Sequence, residues 1–298
     1  LYEFFGSHAV EIDIYDAIHE HKCLVNYRYY PHFVELTEEE TRQFKKYSAQ
    51  IAAAIGAGNA GHGAISKRQS VLQHADEKMT VFKKLLENEL SGKNRMFIYS
   101  PLGIDPDDRD DPNRDGSTNA IQKIQNLMTS LGFKAKQYIG ETPLQERLRL
   151  QQRLAEQDID ALIAMKCLDQ GIDVPESHIG VFLSSTKNSQ QFVQRRGRVL
   201  RKSPGKASAE IHDMIVRPPE PSYGVEQSES EKNLLRYELS RAAELAHAAD
   251  NRDINLANLR EYAITYQLGV GGEEIPWLDG KKPSKAINPE DITTSEDT

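Results

Sequence analysis

Gln190-Gln191-Phe192-Val193-Gln194-Arg195-Arg196-Gly197-Arg198-Val199-Leu200-Arg201 places four arginines within seven residues, interrupted by one glycine and two apolar side chains. Like charges a helical turn apart repel, so such a stretch costs stability unless an anion neutralises it. Two readings follow. One is a solvated basic helix face. The other is a phosphate site, because the planar fork of a guanidinium matches two phosphoryl oxygens at once.

The flanking sequence bears on the choice. Ile179-Gly180-Val181-Phe182-Leu183 ahead of the stretch is a short apolar run with the length of a buried strand. Before it, Ala161 to Met165 is another such run, and it leads into a loop carrying Gly171, Asp173 and Pro175. Glu210 to Val216 alternates as a strand, and Pro218-Pro219 ends it. Further upstream, Met96 to Tyr99 and Lys134 to Ile139 read as strands. Between them, Ala120 to Leu131 reads as a helix stopped by Gly132, and Thr142-Pro143 opens another with Thr142 as N-cap. Strands alternating with amphipathic helices predict an α/β fold with a parallel sheet covered on both faces. Ligands of such sheets gather beyond the carboxyl ends of the strands, which is where the arginine stretch is expected.

The first part of the chain is more mixed. Val10 to Ile14 and Phe33 to Leu36 are short strand candidates, with a short helix over Asp16 to Glu20. Thr37-Glu38-Glu39-Glu40 is a capping box that starts a helix running to about Ile55. Gly56 to Gly63 is glycine-rich, but a helix precedes it and no Gly-Lys-Ser/Thr follows, so it reads as a flexible linker. One long helical segment resumes near Ser66, with Val71, Leu72, Ala75, Met79, Phe82, Leu85 and Leu86 as its apolar stripe. Ser228 to Ala249 and Asn255 to Leu268 read as the last helices.

Composition sets the class. The chain has 298 residues, 38% hydrophobic and 28% charged, as in globular proteins. A net charge of −8 argues against coating nucleic acid by bulk electrostatics and makes a local basic stretch stand out. No apolar run has the length of a membrane span, and the start at Leu1 has no signal-peptide pattern. The start at Leu1 reads as a piece cut from a longer protein. Cys23 and Cys167 lack metal-ligand spacing and fit reduced thiols of a cytoplasmic protein, so no residue is assigned to a metal. Asp111 to Gly116 begins like a calcium loop, but Gln122 stands where a bidentate Glu is needed. A solvated acidic loop over Asp105 to Asp115 is the simpler reading.

Order and spacing together resemble the second RecA-like domain of superfamily 2 helicases and translocases, with DNA-repair and restriction-associated members most similar. Met96 to Ser100 resembles motif IV and Lys166 to Pro175 resembles motif V. Gln194-Arg195-Arg196-Gly197-Arg198-Val199-Leu200-Arg201 matches the Gln-Arg-x-Gly-Arg-x-x-Arg of motif VI. Phe4-Phe5-Gly6 and the Leu24 to Leu36 segment also resemble the lead-in to that domain, so the likeness covers about residues 1–270. It implies a lead-in segment with helices at 1–90 and a RecA-like core at 91–217. Helices packed on the core follow at 218–270, and a disordered tail at 271–298.

The resemblance implies a motor domain of an ATP-dependent enzyme acting on nucleic acid, DNA favoured over RNA. Arg198 and Arg201 would be arginine fingers and Gln194 would sit near the γ-phosphate. Gly171, Asp173 and Arg195 would approach the nucleotide. Ser100, Lys166, Ser184, Ser185 and Thr186 would face the nucleic-acid backbone, although the hydroxyls could equally cap turns or helices. Lys166 and Cys167 depart from the motif, which commonly has Ser or Thr there, and Gln190 stands where a basic residue is common. No Gly-x-x-x-x-Gly-Lys-Ser/Thr occurs, and no apolar strand ends in Asp-Glu. ATP and Mg²⁺ are therefore expected to be held by an N-terminal RecA-like domain of the same protein, and this piece is not expected to hydrolyse ATP alone. Two other readings stay open: an inert RecA-like module acting through contacts, and a doubly wound domain binding a small nucleotide by itself.

Overall fold

The computed structural model describes residues 14–59, 61–101, 116–140, 142–164, 177–184, 197–221, 227–268 and 278. Six strands form one sheet: β1 (Asn26–Glu35), β2 (Met96–Tyr99), β3 (Ala135–Tyr138), β4 (Ala161–Ala164), β5 (Ile179–Phe182) and β6 (Ser208–Arg217). Their order is β1-β6-β5-β2-β4-β3, and every neighbouring pair runs parallel. Of the four inner strands, β2, β4 and β5 are four-residue apolar runs buried along their whole length. That is the pattern a parallel sheet requires, since helices cover both faces.

Eight helices of the described residues flank the sheet. They are α1 (Ile14–His19), α2 (Glu38–Gly56), α3 (His62–Gln73), α4 (Glu77–Asn88), α5 (Gly116–Ser130), α6 (Leu144–Ala155), α7 (Glu229–His247) and α8 (Arg252–Thr265). Phe44, Phe82, Leu86, Ile124 and Met128 from α2, α4 and α5 pack with Ile98, Ile163, Val181 and Met214 on one face. On the other face Leu150, Leu154, Leu239 and Leu259 from α6, α7 and α8 pack with Tyr27, Phe97, Leu162, Phe182 and Ile211. Residues alternate between the two sets along each strand, as the two-residue period demands. The predicted α/β class with a helix-covered parallel sheet is what the chain forms.

Several local expectations are met and others are corrected. Thr37 caps α2 as predicted: its Oγ1 accepts from the Glu40 N–H at 3.2 Å, and the Glu40 carboxylate accepts from the Thr37 N–H at 2.8 Å. Ile14, read as the end of a strand, instead opens α1, while residues 10–13 lie outside the described set. The strand expected over Phe33 to Leu36 starts earlier, at Asn26, and pairs with β6 along ten positions. Tyr27 and Tyr29 are fully buried there, and the Tyr27 hydroxyl donates to the Leu245 carbonyl at 2.6 Å. A tyrosine whose hydroxyl is paired is as good a core residue as phenylalanine, and polarity hid this strand.

The long helix expected from Ser66 is two helices, α3 and α4, separated at residues 74–76. Buried Lys78 holds the break by donating from Nζ to the Leu72 and Gln73 carbonyls at 2.6 and 3.2 Å. The linker read over 56–63 is short, since α3 already begins at His62. Pro143, not Thr142, is the N-cap of α6; Thr142 Oγ1 accepts from the Ile139 N–H instead. Leu278, inside the stretch expected to be a disordered tail, is buried, and its carbonyl accepts from the Arg260 guanidinium. One apolar anchor in a polar segment is invisible to composition.

A buried ionic cluster joins α7 to the sheet. Arg241 donates to Asp213 on β6 and to Glu238 one turn away, and the Tyr29 hydroxyl donates to the same Asp213 oxygen at 3.1 Å. Burial works against the charge on Arg241, but the Asp213 and Glu238 carboxylates hold its pKa well above the ordinary value.

Candidate functional site

The last five residues of the arginine stretch are described, and they are braced from several directions. Residues 197–199 form a helical turn, and Val199 and Leu200 are buried. The Val25 N–H donates to the Leu200 carbonyl at 2.8 Å, and Leu24 bridges Arg201 in antiparallel fashion. Lys206, itself buried, donates from Nζ to the Val199 carbonyl at 2.5 Å. From the sheet side, Val199 sits over Gly180 of β5, where an added Cβ would lie 2.9 Å from Val199 Cγ2. A glycine inside a strand often marks such a close approach.

This bracing presents the arginines differently. Arg201 is exposed and has its own interaction within the fold. Arg198 is half-buried, and its Nη1 is buried with no hydrogen-bond acceptor. Leaving a buried donor unpaired costs about 1–3 kcal/mol, more for a charged group. A cationic nitrogen in that condition is suited to donate to an anionic oxygen.

The stretch was expected on the carboxyl edge of the sheet. Its described end instead lies over the first half of β5 and beside Leu24 and Val25, which feed the start of β1. The reason is topological. A connection between parallel neighbours leaves at one edge and must return to the other, and residues 197–201 belong to the returning limb.

The carboxyl edge itself carries Ser100 and Ser184. The Ser100 N–H donates to the Ala164 carbonyl at 2.8 Å, and Leu183 N–H donates to the Tyr99 carbonyl at 3.0 Å, so both chains continue the ladder past the strands. Ser184 Oγ donates to the Ser100 carbonyl at 3.4 Å, and Ser100 Oγ donates to the Pro101 carbonyl at 3.3 Å. Both serines are 2% exposed, so in this arrangement their hydroxyls face carbonyls rather than solvent. Tyr99 is in register with Ala164 on one side and Phe182 on the other. The chain therefore leaves β4 and β5 at the same edge, toward the segments that hold the remaining candidates. Lys166, Gly171, Asp173, Ser185, Thr186, Gln194 and Arg195 lie outside the described residues, as does Asp111 to Asp115 of the loop weighed for calcium.

Sequence reasoning did not single out Gly180, Lys206 or the Leu24–Val25 pair as supports of the site. Gly180 had a signal, a glycine within an apolar strand. The other two had none, because their partners are set only by the packing of distant segments. Among the described residues, no helix is long and apolar enough to cross a membrane.

Residues 112–203 match the family described as "Helicase conserved C-terminal domain". The chain is 31% identical over 94 residues to "Putative helicase 22" of Sulfolobus islandicus filamentous virus, covering 32% of this chain and 17% of that protein. It is 29% identical over 94 residues to "Putative ATP-dependent RNA helicase MJ1505" of Methanocaldococcus jannaschii, covering 30% of this chain and 12% of that protein. The chain thus spans less than a fifth of the curated relatives it matches. Among solved structures, the Sulfolobus solfataricus SWI2/SNF2 ATPase core in complex with dsDNA aligns with 80% of this chain and 50% of its own, at 12% identity and a TM-score of 0.49.

Proposed function

We propose that this chain is the C-terminal motor domain of an ATP-dependent nucleic-acid helicase or translocase. The observation that carries the reading is the buried, unpaired Nη1 of Arg198 on a tightly braced turn, inside the region that matches the helicase C-terminal domain. A rigid guanidinium with an unfilled donor is suited to an anionic oxygen brought by a second domain.

In this reading Arg198 and Arg201 are arginine fingers and Gln194 lies beside the attacking water. Gly171, Asp173 and Arg195 approach the nucleotide. Lys166, Ser185 and Thr186 contact the nucleic-acid backbone, and Ser100 and Ser184 hold the carboxyl edge of the sheet together. ATP with Mg²⁺ supplies the transferable phosphoryl group and belongs mainly to the N-terminal RecA-like domain. Arg198 contributes by donating hydrogen bonds where negative charge builds, an effect worth about 10³–10⁵ in rate for such fingers. In this reading the nucleic acid is DNA rather than RNA.

The test is ATP turnover by the full-length protein, with and without DNA or RNA, for wild type and Arg198→Ala. Nucleic-acid-stimulated turnover that falls about 10³-fold or more in the variant is the expected result. Turnover unchanged by the substitution overturns the finger assignment. Absence of nucleic-acid-stimulated turnover in the full-length wild type would favour the inert binding module.

A further inference from the structure

A second cluster lies away from the arginine turn, on the other face of the sheet. His32 of β1 and His212 of β6 stack with ring centroids 5.2 Å apart and planes 16° apart. Their facing nitrogens, His32 Nε2 and His212 Nδ1, are 3.0 Å from each other. Glu89, the residue that closes α4, brings a carboxylate, and the ligand atoms of all three residues lie within 4.8 Å of one another. The strand register explains the meeting: Tyr30 stands beside His212 and His32 beside Met214, so the two imidazoles are diagonal neighbours on one face.

The surroundings orient these atoms. His212 Nε2 faces the Glu210 carboxylate at 3.4 Å, and that carboxylate also accepts from Lys93 Nζ at 2.7 Å. With Nε2–H donating to that carboxylate, the Nδ1 lone pair of His212 is directed at His32 and Glu89. This carboxylate is the outer partner that metal-bound histidines almost always have.

A simple hydrogen bond from His32 Nε2–H to His212 Nδ1 would satisfy both nitrogens, but it gives the converging Glu89 carboxylate no part. Two imidazole nitrogens bound at 2.0–2.1 Å to a tetrahedral ion lie about 3.3 Å apart, only a few tenths of an ångström wider than here. Two imidazoles with one carboxylate suit zinc and its neighbours in the first transition row; calcium and magnesium take all-oxygen sites.

We propose that His32 Nε2, His212 Nδ1 and the Glu89 carboxylate form a binding site for a zinc-class divalent ion, with Glu210 as the orienting outer partner. His32 moves its proton from Nε2 to Nδ1 to free the ligating lone pair, so no net proton is lost at that ring. The fourth position is left to water. The ion ties β1, β6 and the end of α4 together, and so secures the edge strand β1.

The test uses the full 298-residue chain, stripped with a chelator and titrated with Co²⁺ as a spectroscopic probe, followed by displacement with Zn²⁺. One Co²⁺ per chain is expected, with visible bands of a four- or five-coordinate ion that Zn²⁺ abolishes, and a melting temperature raised by Zn²⁺. His32→Gln should remove the bands. Glu89→Gln, at an exposed position, should weaken binding at least tenfold, and Glu210→Gln about 10–100-fold. No stoichiometric Co²⁺ or Zn²⁺ binding by the wild type overturns the proposal. Unchanged bands in folded His32→Gln or in Glu89→Gln also overturn it, and would leave the histidines as a hydrogen-bonded pair only.

Discussion

Val199 occupies the space that Gly180 leaves by having no side chain: a Cβ at Gly180 would stand 2.9 Å from Val199 Cγ2 and 3.3 Å from the Phe182 ring. This contact sets how closely the arginine turn approaches the sheet, and so where Arg198 is held. Gly180→Ala is expected to destabilise the chain by about 1–3 kcal/mol, the usual cost of overpacking. Combining it with Val199→Ala should return part of that loss. Urea denaturation of the two single variants and the double variant measures the coupling, and strictly additive effects would contradict the contact.

The finger reading of Arg198 makes a finer prediction than loss on truncation. Lysine at 198 keeps the charge but lacks the planar fork. Arg198→Lys in the full-length protein should therefore recover little of the turnover lost in Arg198→Ala, while nucleic-acid affinity stays near wild type. Full recovery by lysine would mean that the residue acts as a point charge.

Arg241 balances two carboxylates that are almost wholly buried, Asp213 at 0% and Glu238 at 2% exposure. Arg241→Met leaves both without their cation and should cost about 3–5 kcal/mol in chemical denaturation. Adding Asp213→Asn and Glu238→Gln to that variant should recover much of the loss. If it does not, the cost lies in packing rather than in charge.

Lys78 gives the chain a pH dependence at the alkaline end. Burial lowers its pKa from the ordinary 10.5 to about 8, so the folded state prefers the neutral amine. The sign follows: stability rises as pH increases from about 8 toward 10.5, where the unfolded chain still binds a proton that the folded chain has released. The total gain over that window is roughly 3 kcal/mol. Lys78→Met should flatten this rise relative to wild type, as read from denaturation midpoints at several pH values.

Glu40 has two roles at the start of α2. One oxygen completes the capping box with Thr37, and the other accepts from the Asp76 N–H at 2.9 Å, at the α3–α4 junction. Thr37→Ala should cost about 1 kcal/mol, as for other N-caps. Glu40→Ala should cost more, since it releases the junction as well. Equal losses would show that the Asp76 bond contributes nothing.

Much of this architecture can be read from local pattern. The runs at Met96–Tyr99, Ala161–Ala164 and Ile179–Phe182 are apolar because parallel inner strands are covered on both sides. The Thr37 box and the Gly132 stop are readable because a helix end is satisfied by residues within a few positions of it. The spacing of arginines around Gly197 likewise marks a candidate anion site.

What local pattern cannot carry is partnership between distant segments. The tyrosines of β1 count as core only because Leu245, Asp213 and β6 come to meet them. His32 and His212 stand 180 positions apart and become neighbours only through the β1–β6 register. Composition, spacing and helix or strand period therefore determined the α/β class, most strands and the arginine motif. Tertiary structure alone decided which limb of the connection holds Arg198, what braces it, and which buried charges and imidazoles share a site. The physical reason is that secondary structure follows periods of two to four residues along the chain, whereas a site is made by side chains that only packing brings within hydrogen-bonding distance.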